Sequence, residues 1–108
     1  MTKTSPATSP EICQDLASID VLTVLQALSD PVRLEIVRQL AEQPCQCGQL
    51  VIPVAKSTAS HHLKTLARAG VTGEREEGTC KHLRLRRAEL EERFPGLLES
   101  VLQADARV

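Results

Sequence analysis

The sequence predicts a mainly α-helical domain with one small β-hairpin, and three observations carry that prediction. Apolar residues recur at spacings of three and four along most of the chain, the period of a helix. Residues 71–86 switch instead to alternation around a glycine-containing turn, the pattern of a hairpin. The length of 108 residues allows one domain, whose core has to be aliphatic because the chain holds one Phe and no Tyr or Trp.

Taken in order, residues 1–10 are Thr, Ser and Pro with one Lys, which predicts a disordered arm. From Glu11 the pattern reads as helical, with Ile12, Leu16 and Ile19 on one stripe. Leu22, Leu25 and Leu28 continue it in a second short helix. Ser29-Asp30-Pro31 is a helix start, a capping side chain followed by a proline at the first helical position. The helix that follows places Leu34, Val37, Leu40 and Ala41 on one face and ends before Pro44.

Residues 45–51 read as a short helix or turn, which Ile52-Pro53-Val54-Ala55 breaks. Ser57 or Thr58 then caps a helix running to about Ala69, with Leu63, Leu66 and Ala67 inward and Gly70 as its stop. Two helices joined by a short turn, the second with an exposed polar start, make a helix-turn-helix. The hairpin strands, 71–76 and 80–86, flank Glu77-Gly78-Thr79. Leu83 and Leu85 face the core, and Arg84 and Arg86 face water or phosphate. Leu90, Phe94, Leu97, Leu98, Val101 and Leu102 form a last helical segment that Pro95-Gly96 kinks or divides. One domain over residues 11–104, with a short tail at 105–108, is therefore a winged helix-turn-helix. The apolar stripes of its first and last helices exceed what one subunit can bury, so a symmetric dimer through those helices is expected.

The net charge of −1 hides a division. Residues 56–87 hold eight basic and three acidic residues, a net +5, and the remainder carries −6. This predicts one face made for a polyanion. Lys56, Ser57, Thr58, Ser60, His61, His62 and Lys64 begin the second helix of the helix-turn-helix. There, hydroxyls and free N–H groups favour phosphate. Ser60, His61 and Lys64 share an exposed face suited to the major groove, with Lys64 paired to phosphate or guanine. Of the two histidines one is expected to face DNA and the other to pack, since neighbours on a helix point about 100° apart and chelate poorly. Arg68, Lys81, His82, Arg84 and Arg86 complete the expected DNA-binding set. The alternative is that the hydroxyls are caps and the charges a solvated face.

The ordered motifs also support a resemblance. Residues 27–36 (Ala-Leu-Ser-Asp-Pro-Val-Arg-Leu-Glu-Ile), 57–66 (Ser-Thr-Ala-Ser-His-His-Leu-Lys-Thr-Leu), Ala69-Gly70-Val71 and Glu77-Gly78 together resemble the ArsR/SmtB family of bacterial transcriptional repressors over about residues 20–87. The resemblance implies a homodimer on double-stranded DNA with an inverted-repeat operator. It makes helix 57–69 the recognition helix and 71–86 the wing, and it implies an inducer that weakens DNA binding.

The inducer is read from cysteines. Cys45-x-Cys47 stands where arsenic- and lead/cadmium-sensing members carry such a pair, and two thiolates favour a soft metal or metalloid ion such as arsenite or cadmium. The chain departs from the arsenite pattern by having Leu50 where a third cysteine would stand, so Cys13, from the partner's first helix, is the candidate third ligand. Cys80, on the wing, is less suited. Residues 88–108 contain no His, so the family's interfacial zinc site is not expected. Thiol oxidation at Cys45 and Cys47 is the rival, and cysteines that sense nothing are the bland alternative.

No Gly-rich phosphate loop or nucleophile–base pairing points to an enzyme. A pure interaction module is disfavoured by the basic segment. No apolar run nears the ~20 residues of a membrane span, and the first residues lack a secretory pattern, so a cytoplasmic protein with reduced thiols is expected.

Overall fold

The computed structural model describes residues 10–106, apart from the side chains of Cys47, Asp105 and Ala106. The arm expected over 1–10 therefore lies, except for Pro10, outside the described residues. Five α-helices and a three-stranded antiparallel sheet follow one another as α1 (Val21–Leu28), α2 (Pro31–Glu42), β1 (Cys45–Gln46), α3 (Lys56–Arg68), β2 (Thr72–Glu77), β3 (Cys80–Leu85), α4 (Arg87–Arg93) and α5 (Leu97–Ala106). Single 3-10 turns sit at Leu16–Ser18 and Cys47–Gln49.

Local chemistry sets most boundaries. Asp20 Oδ1 accepts from the Thr23 N–H at 3.0 Å and opens α1. Asp30 Oδ1 accepts from the N–H groups of Val32 at 2.8 Å and Arg33 at 3.0 Å, with Pro31 at the first turn of α2. These hydrogen bonds to the ionised form, Arg33's first for Asp30, hold both carboxyls below their ordinary range. Gly70 ends α3 at φ +80°, with the Val71 N–H donating back to the Leu66 carbonyl at 3.0 Å. The wing closes through two residues, Gly78 and Thr79, between Glu77 and Cys80, and Gly78 takes φ +64°.

The core is aliphatic throughout. Val24 and Leu28 of α1, Ile36, Val37 and Leu40 of α2, Leu66 of α3, Leu83 and Leu85 of β3, Leu90 of α4 and Leu98 and Leu102 of α5 form one buried cluster. Pro95-Gly96 divides the last segment into two helices, and α5 runs to Ala106, two residues past the expected end of the domain.

Four expectations are corrected. Residues 11–19 are not a helix. Ile12 pairs with Glu74 at the outer edge of β2, donating to its carbonyl at 2.6 Å and accepting from its N–H at 3.0 Å. Downstream, Arg86 donates to the Gln14 carbonyl and Arg93 to those of Leu16 and Ile19. A strand edge and two guanidinium groups thus satisfy the backbone groups that a helix would have paired internally. Second, residues 45–51 give a strand before the 3-10 turn: β1 joins β3, so the sheet order is β1-β3-β2 and the first helix of the helix-turn-helix shrinks to one turn. Third, neither Ser57 nor Thr58 caps α3, whose N-cap is Ala55 with no side-chain bond. Fourth, α1 buries Val24, Ala27 and Leu28 and leaves Val21, Leu22 and Leu25 exposed.

Candidate nucleic-acid interface

Helix α3 presents an uninterrupted polar stripe. Lys56, Ser57, Thr58, Ser60, His61, Lys64 and Arg68 are all exposed, while Leu66 is fully buried and Leu63 half-buried on the opposite side. Because no side chain caps its start, the first-turn N–H groups and the hydroxyls of Ser57 and Thr58 stay available. Lys56, Lys64 and Arg68 have no acidic partner among the described residues. A groove of about 90 Å³ between α3 and the wing is lined by Ser60, Leu63 and Lys64 on one wall and Glu74 and Lys81 on the other.

The two histidines differ in exposure. His61 is exposed, and His62 is half-buried. Arg33 Nη1 lies 3.1 Å from His62 Nδ1. A guanidinium only donates, so Nδ1 accepts and the proton of the neutral ring is on Nε2. Arg33 also donates from Nε to the Ala27 carbonyl at 2.7 Å and from Nη2 to the Gln26 carbonyl at 3.3 Å. It thereby ties the end of α1 to α3. Twenty-nine residues separate Arg33 from His62, and no local signal in the sequence links them.

On the wing the expected cations are occupied. Arg86 is 6% exposed and donates from Nη1 to the carbonyls of Gln14 at 2.7 Å and Gly70 at 3.3 Å. Burial takes it off any DNA face. Arg84 donates to both oxygens of Glu11 at 2.8 and 2.9 Å and to Glu89 at 2.6 Å. Hydrogen bonding to Arg84 draws Glu89 down to about 2 and Glu11 below its ordinary range, while the two carboxylates hold the guanidinium firmly charged. His82 Nε2 lies 2.7 Å from Glu77, Lys81 Nζ lies 3.7 Å from Glu74, and Arg75 lies 3.9 Å from Glu77. Arg87 is held by Glu99 at 2.6 Å. The +5 of residues 56–87 therefore resolves into internal pairs plus three uncommitted cations, all on α3.

The candidate third ligand, Cys13, lies apart from Cys45. Cys45 is half-buried on β1, opposite Leu83 of β3, and Cys80 is exposed at the end of the hairpin. Cys13 is exposed and follows Ile12, so it lies at the far edge of the sheet rather than on a helix. Ile12, Glu74, Leu83 and Cys45 pair in one row, which puts three strand spacings, roughly 14 Å, between the backbones at the two ends. Within one protomer Cys13 cannot join Cys45. Among the described residues no three His, Cys, Asp or Glu side chains gather to hold a metal ion.

Comparison with known proteins agrees with this geometry. Residues 28–72, from the end of α1 to the start of β2, match the family described as a helix-turn-helix domain. The chain is 37% identical over 82 residues to the HTH-type transcriptional regulator YceK of Bacillus subtilis (strain 168), covering 72% of this chain and 82% of that one. It is 41% identical over 59 residues to the HTH-type transcriptional regulator MJ1325 of Methanocaldococcus jannaschii, covering 52% and 66%. Among solved structures, the transcriptional repressor BigR from Xylella fastidiosa superposes with a TM-score of 0.65 at 28% identity, over 82% of this chain and 87% of that one. The ArsR family transcriptional regulator RHA00566 superposes with a TM-score of 0.63 at 18% identity, over 90% and 100%. With its basic α3 stripe, its three-stranded wing and these relatives, the chain belongs to the HTH-type transcriptional regulators, DNA-binding proteins, and its winged helix-turn-helix fold is that of the ArsR family regulator.

Proposed function

We propose that the protein represses transcription as a cytoplasmic homodimer that lays its two α3 helices in successive major grooves of an inverted-repeat operator. The observation that carries this reading is the α3 stripe, whose three cations lack any internal partner. The likeness to BigR, itself a transcriptional repressor, favours repression. Dimerisation is supported by Val21, Leu22 and Leu25, three apolar side chains left exposed on α1. Twofold symmetry then sets the half-sites about 34 Å apart, or a multiple of it.

The test is retardation of an inverted-repeat promoter fragment over a range of salt. Three cations per protomer, six per dimer, give a slope of log affinity against log salt of about −5, whereas all eight basic residues of 56–87 would give about −14. A steep slope, or equal affinity for scrambled DNA at moderate salt, would count against this interface.

The releasing signal is read at Cys45 and Cys47, with a soft metal or metalloid ion such as arsenite or cadmium as the favoured ligand. Thiol oxidation is the alternative. Support comes from position: Cys45 is hydrogen-bonded into the central strand of the wing, and the 3-10 turn starting at Cys47 leads toward α3. A change at these thiols would thus reach both parts of the DNA face. A third thiolate from Cys13 would have to come from a second copy of the chain. Operator affinity is to be measured with arsenite, cadmium and peroxide on wild type, Cys45→Ser and Cys47→Ser. Release by one agent that both substitutions abolish supports the reading, and unchanged affinity in every combination removes it.

A further inference from the structure

We propose a second oxyanion site, in the cleft of about 290 Å³ between α1, α2 and the C-terminal end of α3, lined by Thr23, Gln26, Arg33, Thr65 and Arg68. Its ligand is a phosphate-type oxyanion, supplied either by a strand flanking the operator or by a small phosphorylated molecule. The strand source rests on the operator reading above.

The argument is comparative. Three other polar clefts carry their own counter-charge: Asp15, Glu89 and Glu92 beside Arg86 and Arg93, Glu11 beside Arg75 and Arg84, and Glu74 beside Lys64 and Lys81. The Arg33–Arg68 cleft has two guanidinium groups and no carboxylate in its lining. Asp20 accepts from the backbone and hydroxyl of Thr23, and Asp30, whose charge interacts with Arg33, accepts from the backbone of Val32 and Arg33. The arginines on the sheet and on α4 are matched with carboxylates or backbone carbonyls, but Arg68 has neither among the described residues. A cleft that has no carboxylate in its lining and holds one unpaired guanidinium, Arg68, is a place where an external anion completes the charge. Each guanidinium nitrogen of Arg33 already has a partner in Ala27, His62 or Gln26, so Arg68 is the open cation of the cleft.

The cleft also lies away from the reading end of the helix. Lys56 and Arg68 are twelve residues apart, about 18 Å along α3. Arg68 is one turn, about 6 Å, beyond Lys64 on the same face of α3, so a phosphate held here adjoins the far edge of the stripe that Ser60 and Lys64 occupy. It would also sit against Arg33, whose bond to His62 positions α3.

Two arms test the site and separate its sources. The DNA-free protein is titrated with inorganic phosphate and followed by amide NMR, alongside Arg68→Gln. In parallel, wild type and Arg68→Gln are compared on an operator duplex with long flanks and on one trimmed to the inverted repeat. If the ligand is a flanking strand, wild type loses affinity on trimming, the variant does not, and Arg68→Gln makes the salt slope shallower by about two, one per protomer, on the long duplex but leaves it unchanged on the trimmed one. If the ligand is a free molecule, phosphate shifts Thr23, Gln26 and Arg68 saturably in wild type only, and trimming has no effect. The absence of any Arg68-dependent change in both arms overturns the site. Failure of wild type to prefer the operator at all would instead overturn the operator reading, because the phosphate titration contains no DNA.

Discussion

Lys64→Glu is expected to lower operator affinity by on the order of 100-fold or more, with the thermal transition of the free protein unchanged. The side chain is exposed and unpaired, so its removal costs the fold nothing, yet it stands at the middle of the α3 stripe beside Ser60. Each dimer loses two contacts, each worth about 1–3 kcal/mol where a base edge is read, and gains two charges that repel phosphate. Lys64→Gln should fall between the two and show a shallower salt slope. Competition titrations at two salt concentrations, with a melting curve for each variant, make the measurement. If Lys64→Glu binds as wild type does, α3 is not the reading helix.

Arg86→Ala is expected to do the reverse. The sequence alone marks Arg86 as a phosphate contact, for which the substitution would weaken DNA binding and leave stability untouched. The structure buries it, with Nη1 holding the carbonyls of Gln14 and Gly70 and Nε buried 3.7 Å from Glu89. Truncation strips two carbonyls of their donor and leaves a cavity beside Gly70 and Leu16. Such losses amount to about 2–3 kcal/mol. For a domain of this size that corresponds to a melting temperature lower by roughly 8–20 °C. Urea and thermal unfolding check it. An unmoved transition together with weaker operator binding would restore the phosphate role. Edge attachment of residues 11–14 should loosen in the same variant, since the Gln14 anchor goes with the guanidinium.

The contrast between these two residues shows which parts of the site were legible in the sequence. Lys64 and Arg86 carry the same sign within one basic stretch, and summing charges along the chain treats them alike. Which of them meets solvent depends on partners far away: Glu11 is 73 residues from Arg84, and Gln14 is 72 from Arg86. The segment from Glu11 to Ile19 failed for a related reason. Its three apolar residues fit a helical spacing, but a helix that short is weak in itself, and the free edge of β2 with Arg86 and Arg93 offered its backbone better partners. On α1 the leucines at 22, 25 and 28 again matched the period, yet the face carrying Val24, Ala27 and Leu28 is the buried one. An aliphatic helix with apolar residues on two sides leaves periodicity undecided. Arg33 was missed as a positioning residue because its bond to His62 spans two elements.

The sequence by itself determined the helix started by Asp30-Pro31, the stop at Gly70, the alternation that places Leu83 and Leu85 inward, and the polar face that begins at Lys56. Each is specified by contacts within a few residues, through a cap, a backbone conformation or a side-chain period. Only the tertiary structure decided that Glu11–Gln14 lies along the wing, that β1 joins the sheet, and that five of the eight basic residues from 56 to 87 are held internally while three on α3 are left open. Those outcomes depend on which charges and backbone groups folding brings within a few ångströms of each other, and order along a chain does not record that distance.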